Sequence, residues 1–192
     1  MCIRDRNPIF AGGAPATTPP SFVPALESPV YTARQLAEAL TDGVLSNGFG
    51  IEASDKTIAI PDAMGTRLLL HFALRGAPEV SPYVAVGIPT GKDITKFTRV
   101  AFRARAERPM RIWVQLWTKV PEGNQYWRRS VYLDDTIRDI SIPFEEMLPL
   151  PVDAPRDAPL SRILTIMFVV DTVHTPLGTT GTIWIDELRY QR

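Results

Sequence analysis

Arg111 to Trp117 reads RIWVQLW, and alternation sorts its side chains: Ile112, Val114 and Leu116 fall on one side, Trp113, Gln115 and Trp117 on the other. A period of two belongs to a β-strand, whose successive side chains leave opposite faces of the sheet. One face of this strand is aliphatic core. The other sets two indoles around an amide, which an ordinary solvent-facing strand rarely does.

The same period runs outward in both directions. Thr66 to Arg75 places Leu68, Leu70, Phe72 and Leu74 together, Tyr83 to Ile88 places Val84, Val86 and Ile88 together, and Thr98 to Arg105 does the same with Val100, Phe102 and Ala104. Glu107, Arg108 and Pro109 turn the chain into RIWVQLW, and Tyr126 to Leu133, Ile137 to Ile142, Ile163 to Asp171 and Thr182 to Tyr190 complete the set. Ile163 to Val170 is apolar on both faces, which predicts a central strand. Turns rich in Gly, Pro, Asn and Asp separate these runs, and the crossover helices of a parallel sheet are missing. The fold class is therefore all-β, an antiparallel β-sandwich with one short N-terminal helix. Thr32 as cap, Gln35 at the capping-box position, Leu36 and Leu40 on one face and Gly43 as stop predict that helix over Ala33 to about Thr41. A helical turn at Phe144 to Met147 and a long irregular loop from Pro149 to Pro159 are expected later.

Residues 1–30 read as a linker, with Pro8, Pro15, Pro19, Pro20, Pro24 and Pro29 among small residues that favour extended backbone. Residues 31–192 form a single domain. Linkers of this kind join modules, so an upstream catalytic domain is expected. Met1 to Arg6, MCIRDR, resembles translated adapter sequence, and a sequencing artefact is expected there.

Composition narrows the function. The 192 residues suffice for one core, and 45% hydrophobic with 22% charged residues is ordinary for a folded domain. Twenty-one basic and 21 acidic side chains give a formal net charge of +0, so no global field attracts nucleic acid, and none is expected as a partner. Apolar runs fall short of the roughly 20 residues of a membrane helix, so no membrane span is expected. Cys2 is the only cysteine, which excludes an internal disulfide and a cysteine-based zinc site.

No catalytic motif is present. His71 and His174 lie in different segments, without HExxH, G-x-S-x-G or a P-loop, and the adjacent pairs Asp134–Asp135 and Glu145–Glu146 lack the opposed geometry of a glycosidase. The expectation is a protein that is not an enzyme and requires no cofactor. Sugars, by contrast, offer flat C–H patches edged by hydroxyls, which suit an aromatic platform beside amide or guanidinium groups. Trp113, Gln115 and Trp117 supply that mixture, and Tyr126 and Arg128 from a neighbouring strand, with Arg103 and His71 from others, are expected to extend it. Two other readings stand beside this one. The indoles can be packing under a loop, and the arginines Arg99, Arg103, Arg105, Arg108, Arg111, Arg128 and Arg129 can form a polyanion site or a salt-bridged solvated face. A structural calcium is possible on Asp42, Glu52 and Asp186, which flank the first and last β elements.

The order of KDITKFTRVAFRARA (92–106), RIWVQLW, YWRRSVYL (126–133), DISIPFEEM (139–147) and ILTIMFVVDTVHTPLGTTGTIWIDELRY (163–190) resembles the galactose-binding-like jelly rolls found as carbohydrate-binding modules and in proteins of the complex I intermediate-associated type. The likeness covers about Thr41 to Tyr190, and GTIWIDEL (181–188) is similar to their closing strand. It implies two packed antiparallel sheets forming a jelly roll, a ligand surface on the concave sheet or at loop tips, and a calcium ligand at Asp186. The function it implies is a non-catalytic carbohydrate-binding module, an accessory domain of a larger exported bacterial protein, secreted or periplasmic, with a polysaccharide or oligosaccharide as partner. A protein-interaction or assembly module on the same fold, and a polysaccharide-active enzyme, are the alternatives.

Overall fold

A computed structural model describes residues 28–29, 45–47, 57–62, 65–74, 83–90, 93–121, 123–150 and 153–192. They form twelve strands: β1 (Ser28–Pro29), β2 (Leu45–Asn47), β3 (Thr57–Asp62), β4 (Gly65–Ala73), β5 (Tyr83–Pro89), β6 (Arg99–Ala106), β7 (Met110–Val120), β8 (Gly123–Leu133), β9 (Arg138–Pro143), β10 (Leu148–Leu150), β11 (Thr165–Asp171) and β12 (Thr180–Gln191). Every pairing is antiparallel.

The strands divide into two sheets. The first runs β3-β4-β12-β6-β9, with β1 also on β12, and the second runs β10-β8-β7-β11-β5-β2. The chain changes sheet at every step except β3 to β4, β7 to β8 and β10 to β11, so each sheet is assembled from segments far apart in sequence. The result is a jelly-roll β-sandwich. As the alternation predicts, β11 is interior to its sheet.

Its core is made by the faces the alternation identifies. Leu70, Phe72, Val100, Phe102, Ile183 and Ile185 from the first sheet meet Val84, Val86, Ile112, Val114, Leu116, Ile166 and Phe168 from the second, all buried. Phe102 meets Phe168 edge-on across the interior at 5.2 Å between centroids. Tyr190 stacks on Phe97 at 5.4 Å and meets Phe144 at 6.3 Å, closing one end. Trp127 is fully buried, and its indole N–H donates to the carbonyl of Pro155 at 2.9 Å, satisfying the one polar atom that burial of this ring brings inside.

The differences from the sequence reading are local. The helical turn expected at Phe144 to Met147 is present as a 3-10 turn, Phe144–Glu146. The segment from Pro149, read as loop, begins inside β10, which pairs with β8. Ser28 and Pro29, read as the end of the linker, pair with Tyr190 and Arg189. β3 escaped the reading because TIAIPD offers only two large apolar residues for its pattern. The helix expected over Ala33 to Thr41 lies outside the described residues.

Candidate functional site

Antiparallel register sets residues of one face side by side. Two neighbouring rungs of the second sheet read Leu148, Arg128, Gln115, Met167, Gly87 and Leu150, Tyr126, Trp117, Thr165, Pro89. The next rung beyond the Gln115 rung holds Ser130, Trp113, Val169 and Ala85. Because Ile112, Val114 and Leu116 point into the core, all of these positions lie on the outer face of the sheet. Trp113, Gln115, Trp117, Tyr126 and Arg128 thus share one surface. Its aromatic ends, Trp113 and Trp117, are roughly 13 Å apart along the strand.

The two tryptophans are held differently. Trp113 donates its indole N–H to Asp171 Oδ2 at 2.9 Å, lies 4.6 Å from the His174 imidazole between centroids, and carries the Arg128 guanidinium 4.1 Å from its ring centroid. Ser130 Oγ lies 3.3 Å from His174 Nε2, and Asp171 Oδ1 accepts from the Val173 amide at 3.1 Å. Trp113 is therefore the hub of a locked cluster, with much of its ring surface already engaged. Trp117 is half-buried, and among the described residues its indole has no ring or hydrogen-bond partner. Its cross-strand neighbour Tyr126 is also half-buried, and burial pushes the phenol above the ordinary tyrosine range; the nearby Tyr83 phenol adds to that, and a hydrogen bond with Asn124 opposes it. Gln115 is only 8% exposed, so its amide lies at the floor between the flanking side chains. Beyond Arg128 and Tyr126, the edge residues Leu148 and Leu150 are 55% and 36% exposed.

Arg103 and His71 do not join this surface. Both lie on the first sheet, because β6 and β4 pair with β12 there. Arg103 donates to Glu187 at 3.2 Å and stands 3.7 Å from Asp139, and His71 Nδ1 is 3.0 Å from Thr182 Oγ1. The sequence pattern shows which residues share a strand face but not which sheet the strand enters, and that is where the expectation fails. On the same sheet Arg105 lies over Trp184 at 3.9 Å, beside a cleft of about 250 Å³ lined by Arg103, Asp135, Ile137 and Asp186 among others.

Asp186 faces Arg103 across β12 and β6. A guanidinium that shares a cleft with Asp186 and already pairs with two other carboxylates is a poor neighbour for calcium, so the donors around Asp186 do not fit that ion. No group of three or more His, Cys, Asp or Glu suited to a metal occurs among the described residues. Asp42 and Glu52 lie outside them. Asp134 accepts from Arg138, and that hydrogen bond holds its carboxyl below the ordinary range, an exposed pairing at a turn. No helix among the described residues is long and apolar enough to cross a membrane.

Asp171 and His174 were invisible as site residues in the sequence, since nothing local marks an aspartate and a histidine after a buried strand. The usable signal was chemical: a half-buried indole N–H needs an acceptor, and the strand predicted to be central, which the structure pairs with β7, ends in Asp171.

No protein-family model matches the chain, and no curated protein matches it by sequence. Solved structures do. A family 11 carbohydrate-binding module from Clostridium thermocellum, determined in complex with a β-1,3-1,4-mixed-linked tetrasaccharide, superposes with a TM-score of 0.60 at 16% identity over 77% of this chain and 88% of that one. A family 30 carbohydrate-binding module of a cellulosomal cellulase of the same organism gives 0.55 at 10% identity over 77% and 90%. An agarase gives 0.54 at 12% identity, with 86% of this chain matching 24% of that protein. At these identities the likeness is one of architecture, and the chain has the β-sandwich jelly-roll fold of the family 11 and family 30 carbohydrate-binding modules.

Proposed function

We propose that this domain is a non-catalytic carbohydrate-binding module, accessory to a larger protein, and that its ligand lies on the outer face of the second sheet. The observation that carries the reading is the rung of Trp117 and Tyr126 beside Arg128, where an indole without a partner among the described residues adjoins a phenol and a guanidinium. A pyranose can lay its C–H face on Trp117, while the Arg128 N–H groups and the Tyr126 hydroxyl meet the ring substituents. The locked Trp113 cluster keeps Arg128 in place, so little side-chain freedom is lost on binding. Modules of this fold are known within enzymes: the agarase contains a matching part about a quarter of its length.

Calorimetric titration with mixed-linkage β-glucan, xylan, mannan and agar oligosaccharides tests the proposal. Binding of at least one glycan is expected, lost in Trp117→Ala and kept in Trp184→Ala. Loss in Trp184→Ala alone would move the site to the first sheet, and a folded protein that binds no glycan would reject the function.

A further inference from the structure

The outer face of the second sheet carries an excess of cations. The outward positions of β7, β8, β11, β5 and β10 include Arg111, Lys119 and Arg128 against one carboxylate, Asp171. Both oxygens of Asp171 are occupied, by the Trp113 indole and the Val173 amide. Among the described residues none of Arg111, Lys119 and Arg128 has an ion-pair partner, whereas Arg103 and Arg189 pair with Glu187, and Arg138 with Asp134. In a chain whose net charge is +0, this face thus holds a local difference of three cations against one carboxylate.

Arg128 is the centre of the difference. Its guanidinium lies over the Trp113 ring, 4.1 Å from the centroid, which restricts how the group can turn. The N–H groups around its edge make no hydrogen bond among the described residues, and an oriented guanidinium edge is the donor pattern that meets the paired oxygens of a carboxylate or sulfate. Arg111 and Lys119 stand at the two ends of the same face, roughly 27 Å apart along β7 with the indoles between them. A neutral glucan would leave these charges unanswered.

We infer, on the reading of this face as a glycan site, that its ligand is an acidic polysaccharide, with a carboxylate or sulfate held by Arg128 and further anionic groups steered by Arg111 and Lys119. Nucleic acid is less well matched, since its closely spaced phosphates would call for a basic stripe rather than three separated cations.

Affinity electrophoresis and calorimetry should compare polygalacturonate and alginate with their carboxyl-reduced forms, and a sulfated galactan with its desulfated form; the two arms separate the carboxylate from the sulfate source. The expected result is at least tenfold tighter binding of one acidic polymer than of its neutral form, shrinking as salt is raised. Arg128→Gln should reduce that ratio to near one. Arg111→Gln/Lys119→Gln touches neither indole contact described above, and should lower the ratio with an unchanged melting temperature, which keeps the test decisive if Arg128→Gln misfolds. Equal affinity for acidic and neutral forms would overturn the inference and leave the carbohydrate reading standing. Binding of no glycan would reject both, and single-stranded DNA bound as tightly as the acidic polymer would show a general polyanion patch and overturn the inference.

Discussion

Trp113 and Trp117 stand four positions apart on one strand face, yet their surroundings give them different work. Trp113 joins Asp171, Arg128 and His174 into one cluster, so Trp113→Ala should cost stability, about 2–4 kcal/mol in urea denaturation, as well as binding. Trp117→Ala should leave the denaturation midpoint nearly unchanged and weaken glycan binding at least tenfold. Equal destabilisation by both would mean that Trp117 is structural too. Tyr126 gives a separate readout. Its folded-state value lies above the ordinary tyrosine value of about 10, so its contribution to stability is complete below that pH and is lost as pH rises through the folded value. Ultraviolet titration should therefore show a late-ionising phenol that Tyr126→Phe removes.

At the scale of elements, β12 carries the one left-handed non-glycine residue among the described residues. Its pairing with β6 shifts between Asp186 and Arg189, and Glu187 at that bulge has φ of 51°, a left-handed conformation costly for a side chain with a Cβ. Glu187→Gly should be more stable than Glu187→Ala by about 1 kcal/mol, because both lose the pairs to Arg103 and Arg189 and only glycine escapes the backbone cost. Equal stabilities in chemical denaturation would contradict the strain. The bulge also shows what alternation alone conceals: GTIWIDEL reads as an uninterrupted strand, and nothing in it marks the extra residue. Strands with one apolar face, such as RIWVQLW and VAFRA, were legible because burial on one side imposes a strict period. β10 was not, since LPL is an edge strand too short for a period and its proline reads as loop.

For the whole molecule, the sandwich was legible because many short alternating runs without helices leave few architectures open, but the pairing of strands was not. Register between β7 and β11 links residues about fifty apart, and sequence alternation carries no information on which strands meet. That is why Tyr126 and Arg128 joined the tryptophans through the adjacent hairpin, while Arg103 and His71, equally plausible by pattern, went to the opposite sheet. Interior packing should show the same global dependence. Trp127→Ala removes a fully buried indole and orphans the Pro155 carbonyl, and should cost about 3–5 kcal/mol.

The central claim is that a glycan occupies the outer face of the second sheet. The chain has four tryptophans, Trp113, Trp117, Trp127 and Trp184, so a nitrogen–proton correlation spectrum should show four indole signals, assignable by single Trp→Phe substitutions. On titration with a bound glycan the Trp117 signal should move most and Trp113 less, with Trp127 and Trp184 still. Movement of Trp184 with Trp117 unmoved would contradict the account.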